Sequence, residues 1–135
     1  MTRLTLMALL TFLWLIPTDH ALSQFDGSVP LLCAPVQAID CDVAEPCLRG
    51  TPEDVNIPNF FKIDLKKKMI SAIREGGRQT SINNLHRVNG KIILQGVQKG
   101  RGWTMVISEK TGKISATVSD NDVGFVIFGV CAPLP

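Results

Sequence analysis

The fold is decided by residues 89–122, which read NGKIILQGVQKGRGWTMVISEKTGKISATVSDND. Three short segments of this stretch are separated by turn residues, and the last of them alternates apolar and polar residues, a period typical of strands with one buried face. In the last segment, Ile114, Ala116 and Val118 fall on one side of such a strand. The Asn-Gly pair at the start is the strongest short signal for a two-residue β-hairpin. The stretch therefore predicts consecutive antiparallel strands joined by tight turns.

The same pattern extends on both sides of this stretch, from residue 60 to residue 135. Turn signals are centred near residues 67, 77, 90, 101, 112 and 121, a spacing typical of all-β sandwiches and barrels. No run of apolar residues at helical spacing is long enough for a major helix. We therefore predict an all-β fold in which residues 60–135 form an antiparallel meander of about seven strands, either a small barrel or a strongly curled sheet.

The last predicted strand differs from the others because both of its faces are apolar. It reads VGFVIFGVC from Val123 to Cys131, whereas a strand with one wet face alternates. One interpretation is that the segment before residue 60 covers the outer face of this strand. The other is that Val126, Phe128 and Val130 form an interaction face for a partner.

Residues 24–59 are predicted to form an irregular, disulfide-stapled segment. Five prolines interrupt them, and their apolar residues show no periodicity. Together with residues 60–135 they make a single domain, because the length of the chain suits one domain. A separate cofactor domain does not fit this length, and we predict no cofactor.

Residues 1–23 predict a secretory signal peptide. Arg3 precedes an apolar run from Leu4 to Ile16, and small residues follow in Ala21-Leu22-Ser23. That arrangement is typical of a cleaved signal, and the apolar run is too short to span a bilayer as an anchor. We expect cleavage after Ser23, a periplasmic or secreted protein, and no stable membrane anchor after cleavage.

The four cysteines all follow the predicted cleavage site. An even number in a short exported chain indicates two disulfides, and three pairings are possible. We favour Cys41–Cys47, which closes a short loop, and Cys33–Cys131, which ties the N-terminal segment to the last strand. The cysteine spacing does not suit a structural zinc site, and we predict no metal.

The charge is nearly balanced, with 14 Lys and Arg against 12 Asp and Glu and a formal net charge of +2. Binding to nucleic acid, or to a membrane through charge alone, is therefore not expected. The sequence carries no P-loop, dinucleotide fingerprint, G-x-S-x-G or H-E-x-x-H motif. We predict that the protein is not an enzyme and assign no catalytic residue.

One short motif, Gly100-Arg101-Gly102-Trp103, is a candidate ligand site. It places a cation beside an aromatic ring at the start of a strand, and such a pair can stack on a sugar or hold an anion. The alternative is structural, with Trp103 in the core and Arg101 in an ordinary turn. Arg101 and Trp103 are the predicted ligand-binding residues.

Several other polar residues have structural explanations. His86 is expected on the surface at a strand end, and Lys66-Lys67-Lys68 in an exposed turn. Asp120-Asn121-Asp122 is expected in a solvated turn, because it lacks the glycine spacing and the distal glutamate of a calcium loop. Asp64 with Asp120 or Asp122 would suit a carboxylate-based hydrolase only if the two carboxyl groups lie about 5–9.5 Å apart.

Residues 90–131 read GKIILQGVQKGRGWTMVISEKTGKISATVSDNDVGFVIFGVC. With Asn56-Ile57-Pro58 and Phe61-Lys62-Ile63-Asp64 before them, they resemble a group of small exported proteobacterial proteins of unknown function. The resemblance covers most of the chain after the predicted signal and implies a bacterial origin and a periplasmic address. It implies no catalytic residue.

Three functions from different classes remain open. The leading hypothesis is a non-enzymatic periplasmic or secreted binding module, whose ligand is an envelope protein, another envelope component or a small apolar molecule. The second is a structural or accessory envelope protein that forms homo-oligomers through Val126, Phe128 and Val130. The third is the small carboxylate-based hydrolase.

Overall fold

The computed structural model describes residues 25–74 and 76–135. The predicted signal peptide, residues 1–23, lies outside the described residues. Within them the chain forms ten strands and one turn of 3-10 helix, and no helix has the length and apolar composition needed to cross a bilayer. The strands are β1 (Leu31–Asp42), β2 (Leu48–Gly50), β3 (Phe61–Asp64), β4 (Met69–Ala72), β5 (Gln79–Ser81), β6 (Asn84–Val88), β7 (Lys91–Gln98), β8 (Arg101–Ser108), β9 (Lys113–Ser119) and β10 (Val123–Pro133), and the 3-10 turn, Pro52–Val55, lies between β2 and β3.

All strands belong to one antiparallel sheet, so the predicted all-β fold is confirmed. The order along the sheet is β5-β4-β3-β1-β10-β9-β8-β7-β6, and the short β2 pairs beside β1. The sheet curls strongly, because one end of this order returns to the other. Gln98 Nε2 on β7 donates a hydrogen bond to the Gln79 carbonyl on β5 at 3.1 Å. The result is a half-barrel with one buried concave face.

Residues 60–135 hold eight strands rather than about seven, because the stretch predicted as one strand near residues 79–88 divides into β5 and β6. The division occurs at Ile82 and Asn83. The Ile82 amide donates to the Lys68 carbonyl at 2.9 Å, and the Asn83 amide donates to the Gln95 carbonyl at 2.9 Å. At this point the chain leaves β4 and begins to pair with β7, and the side chain of Ile82 is buried. The short connection from β5 to β6 therefore crosses from one end of the strand order to the other.

The prediction that residues 24–59 are irregular is wrong for residues 31–42. They form β1, the longest strand, which pairs with β10 along its whole length and with β3 and β2 on its other side. A β-bulge between Pro35 and Gln37 interrupts the alternation of inward and outward residues, so the sequence pattern does not indicate a strand. The buried positions are Leu31, Cys33 and Pro35 before the bulge and Ala38 after it, so the period of two is broken once.

The predicted cover for the last strand is also wrong. β1 lies beside β10 in the sheet and not over its outer face. Phe128 and Val130 on that face remain 40% and 45% exposed. The second interpretation, an interaction face, therefore stays a prediction.

Both predicted disulfides are confirmed. Cys33 and Cys131 face each other on β1 and β10, with their Cα atoms 4.0 Å apart, and both are buried. Cys41–Cys47 closes the exposed loop between β1 and β2. Gly129 lets β10 approach the bulge of β1, because a Cβ atom there would lie only 2.9 Å from the Cα atom of Pro35. The two central strands are thus held together by a covalent bond and by close backbone packing.

The two ends of the half-barrel differ in packing. At the closed end, which carries the β3–β4, β6–β7 and β8–β9 turns, several core side chains are completely buried. At the mouth, which carries the β7–β8 and β9–β10 turns, several inward side chains are only partly buried. The completely buried residues include Leu31, Ile63, Ile92 and Ile107, whereas the partly buried ones include Val55, Ile57, Trp103, Val118 and Phe125.

Candidate functional site

A cavity opens at the mouth of the half-barrel, and we call it the mouth cavity. Its volume is about 160 Å³. Most of its wall is apolar and comes from the inward residues of β3, β4, β8, β9 and β10 and from the segment around the 3-10 turn. The polar part of the wall consists of Arg78, Gln79, Thr80, Gln98 and Arg101.

Trp103 forms one wall of the mouth cavity. It points inward from β8, and its indole Nε1 donates a hydrogen bond to Thr80 Oγ1 on β5 at 3.2 Å. The indole lies over Gly96, its partner in the pairing of β7 and β8. A Cβ atom at position 96 would collide with the Trp103 ring and lie 2.6 Å from the Ser81 carbonyl. Glycine at position 96 therefore gives the indole its place in the wall.

Arg101 stands at the rim of the same cavity. Its Nε donates to the Asp120 carboxylate at 3.0 Å, and its guanidinium carbon lies 5.9 Å from the centre of the Phe125 ring. Hydrogen bonds from the Asn121 amide and then from Arg101 hold the pKa of Asp120 below its ordinary value. The pair joins the β7–β8 turn to the β9–β10 turn and fixes the position of the cation at the opening.

Arg78 supplies a second cation on the cavity wall. Its side chain is half-buried and donates to the backbone and side-chain oxygens of Asn56. None of the ion pairs found among residues 25–74 and 76–135 includes Arg78. Its guanidinium therefore keeps donor capacity for an acceptor that enters the mouth cavity.

The 3-10 turn completes the rim. The Thr51 amide donates to the Asp54 carboxylate at 2.7 Å, which closes the turn, and Pro52 starts it as expected for the first helical position. Val55, Ile57 and Pro58 then line the cavity. An apolar wall with cations at one side can hold a molecule that has an apolar part and an anionic or polar part.

The structure brings Arg101 and Trp103 together in this cavity, as lining residues. It does not bring Asp64 together with Asp120 or with Asp122, which both lie in the β9–β10 turn. Asp64 ends β3 at the closed end and pairs with Lys67, whereas Asp120 follows β9 at the mouth. The seven residues of β9 alone span about 20 Å at about 3.3 Å per residue, which is beyond the reach of a glycosidase pair.

The remaining polar candidates lie on the surface. His86 is exposed on the edge strand β6, and Asp120 accepts a hydrogen bond from the Asn121 amide within its turn. Over the described part of the chain, no cluster of three His, Cys, Asp or Glu residues is suited to hold a metal ion. The outer face holds a different feature, a depression next to Val36, Phe128 and Val130, with Val36 67% exposed at the bulge.

Sequence reasoning missed Arg78, Thr80 and Phe125 as parts of the site. They come from the β4–β5 region and from β10, which lie next to Trp103 and Arg101 only because the sheet curls. The Gly96 position opposite Trp103 was the one available signal, since a glycine inside a strand often marks a close approach.

No family model, curated protein or solved structure matches the chain. The resemblance to exported proteobacterial proteins therefore stays a prediction.

Proposed function

We propose that the protein is a non-enzymatic binding module that holds a small amphipathic molecule in the mouth cavity. The apolar part of the ligand packs against Trp103 and its neighbours, and its anionic part contacts Arg78 at the wall. The observation that carries this proposal is an apolar cavity with two arginines at one side.

The size of the cavity supports a limited class of ligand. A cavity of about 150 Å³ is known to hold a single benzene ring, and the mouth cavity has a volume of about 160 Å³. Sites for drug-sized ligands are larger, at about 300–1,000 Å³. The buried part of the ligand is therefore one ring or a short alkyl chain.

The two disulfides are compatible with an oxidising compartment outside the cytoplasm. With the predicted signal peptide, they support a periplasmic or secreted protein. In that compartment the ligand is a short fatty acid or an aromatic acid, either free or as the exposed end of a larger envelope molecule.

A fluorescence titration of the mature chain, residues 24–135, tests the proposal. Trp103 is its single tryptophan, and the chain contains no tyrosine, so the emission reports on the cavity wall. We expect hexanoate to change the emission in a saturable way and to bind more tightly than hexanol. Arg78→Gln should lower the ratio of hexanoate affinity to hexanol affinity by about ten-fold or more, because a charge-assisted hydrogen bond is lost.

Two neighbouring substitutions on β9 provide a matched control. Ala116 points into the cavity and Thr117 points outward, so Ala116→Leu should block hexanoate binding and Thr117→Leu should preserve it. Equal binding by both variants, with both folded by circular dichroism, would reject the cavity as the site.

A second candidate function is self-association through the outer face. The exposure of Phe128, Val130 and Val36 favours it, because large apolar residues grouped on a surface mark interaction sites. Light scattering at micromolar concentration tests this candidate. If the outer face mediates self-association, the unmodified chain is an oligomer and the double variant Phe128→Asp with Val130→Asp is a monomer. A monomeric unmodified chain would exclude this candidate.

A further inference from the structure

The charges of the protein are distributed unevenly between its two ends. The closed end has seven basic residues in its turns and the adjoining strand ends, against three acidic residues. The mouth end has the opposite balance, with more acidic residues than basic ones. The closed-end set is Lys66, Lys67, Lys68, Arg87, Lys91, Lys110 and Lys113, with Asp26, Asp64 and Glu109.

The three acidic residues of the closed end are already engaged within the protein. Asp64 pairs with Lys67 at 3.9 Å, and Glu109 pairs with Arg87. Hydrogen bonds from the Ser28 side chain and then from the Ser28 amide, the latter at 2.6 Å, hold the pKa of Asp26 below its ordinary value, and the nearby charges of Arg87 and Lys66 add to this effect. The acidic groups therefore do not neutralise the remaining lysines.

Apart from Lys66, whose Nζ donates a hydrogen bond to the Ser28 carbonyl at 3.3 Å, four lysines at this end have no carboxylate partner among the described residues. They are Lys68, Lys91, Lys110 and Lys113, and each is exposed. We call these four residues the basic end.

The basic end forms a broad surface and not a pocket. Its lysines come from three different turns, which the pairing of β3 with β4, β6 with β7 and β8 with β9 brings to the same end. Val88, beside the β6–β7 turn, adds an apolar side chain that is 47% exposed. Positive charge spread over one end, with an apolar residue within it, suits a flat anionic surface better than a single small anion.

The chain also enters the folded body at this end. The Phe25 ring lies close to Gly112 in the β8–β9 turn, and the Phe25 carbonyl accepts a hydrogen bond from Arg87 at 2.8 Å. Phe25 therefore adds a half-buried apolar ring beside the basic residues of this end.

From these observations we propose that the basic end docks the protein on the surface of a bilayer that contains anionic phospholipid, with the mouth cavity facing away from the lipid. The overall charge of +2 conceals this surface, because the acidic mouth offsets the basic end in the total. The proposal does not depend on the ligand of the mouth cavity.

Flotation of the mature chain with lipid vesicles tests the docking surface. We expect binding to vesicles of phosphatidylcholine mixed with phosphatidylglycerol, and no binding to vesicles of phosphatidylcholine alone. Binding should weaken steeply as salt is raised toward about 0.15 M, where the screening length is about 8 Å. Each lysine removed should weaken binding about five-fold.

Two double variants with the same net charge separate the basic end from a general charge effect. Lys91→Gln with Lys110→Gln alters the basic end, and Arg74→Gln with Lys99→Gln alters the mouth end. The first double variant should bind anionic vesicles about 25-fold more weakly than the unmodified chain. The second should change the affinity less than about two-fold, and the two variants should have equal melting temperatures.

Three results would overturn the proposal. They are equal losses in the two double variants, equal binding to neutral vesicles, and binding to the soluble polyanion alginate without binding to anionic vesicles. Loss of hexanoate binding with intact vesicle binding would count against the cavity alone.

Discussion

Gly96 and Trp103 show how one residue without a side chain determines the wall of the cavity. The indole occupies the space over Gly96 that a Cβ atom would take, and it is held there by its hydrogen bond to Thr80. At this scale the site is a packing arrangement between facing residues of β7 and β8, closed by a polar contact to β5.

We predict that Gly96→Ala displaces the Trp103 indole and lowers the free energy of unfolding by about 1–3 kcal/mol, the usual cost of overpacking. Denaturant unfolding gives the free energy, and the emission maximum of Trp103 should move to longer wavelength. Gly102→Ala is the control, because a Cβ atom there meets nothing within 4 Å. Similar effects of the two substitutions would contradict the packing role of Gly96.

The ion pair at the rim leads to a prediction about pH. Because hydrogen bonds from the Asn121 amide and Arg101 lower the pKa of Asp120 in the folded state, their stabilising effect is present above the ordinary Asp value of about 3.9. It is lost as the pH falls through the lower value of the folded protein. An NMR titration of the Asp120 carboxyl carbon should give a midpoint below about 3.9.

Arg101→Gln separates the two causes of this shift. The midpoint of Asp120 should rise in the variant but stay below the ordinary value, since the Asn121 amide still donates. An unchanged midpoint would mean that the Arg101 contact does not form in solution.

At the scale of strands, β7, β8 and β9 were predictable and β1 was not. The turns around the first three are marked by Asn-Gly or glycine, and in β9 the alternation of Ile114, Ala116 and Val118 with polar residues is continuous. In β1 the bulge at Val36 shifts the phase, and prolines reduce its strand propensity. Its place beside β10 depends on long-range pairing that no local pattern records, although the preferred cysteine pairing indicated the partner.

The same scale allows a comparison of the two disulfides. In the chain-entropy model, a bond that closes a loop of about 100 residues stabilises by about 4.7 kcal/mol and one that closes a loop of six by about 2 kcal/mol. The Cys33–Cys131 and Cys41–Cys47 bonds have sequence separations of 98 and 6. We predict that Cys33→Ala with Cys131→Ala destabilises more than Cys41→Ala with Cys47→Ala in urea unfolding. The reverse order would show that β1 and β10 do not depend on their bond.

For the whole molecule, the closed end and the mouth have different roles. The closed end provides a packed core with lysines around it, and the mouth provides the cavity and the arginines. Amino-acid composition could not predict this difference between the two ends, because a total charge and an apolar fraction carry no information on position. The curl of the sheet creates the site, and curl follows from the pairing of distant strands.

The function proposed for this protein is the binding of a small amphipathic molecule in the mouth cavity. The most direct test is NMR mapping of amide chemical shifts in the mature chain as hexanoate is added. We predict saturable changes confined to residues around the cavity, such as Thr80, Trp103, Ala116 and Phe125, with the closed end unaffected. Changes centred on Phe128 and Val130 of the outer face, or no saturable change at all, would contradict it.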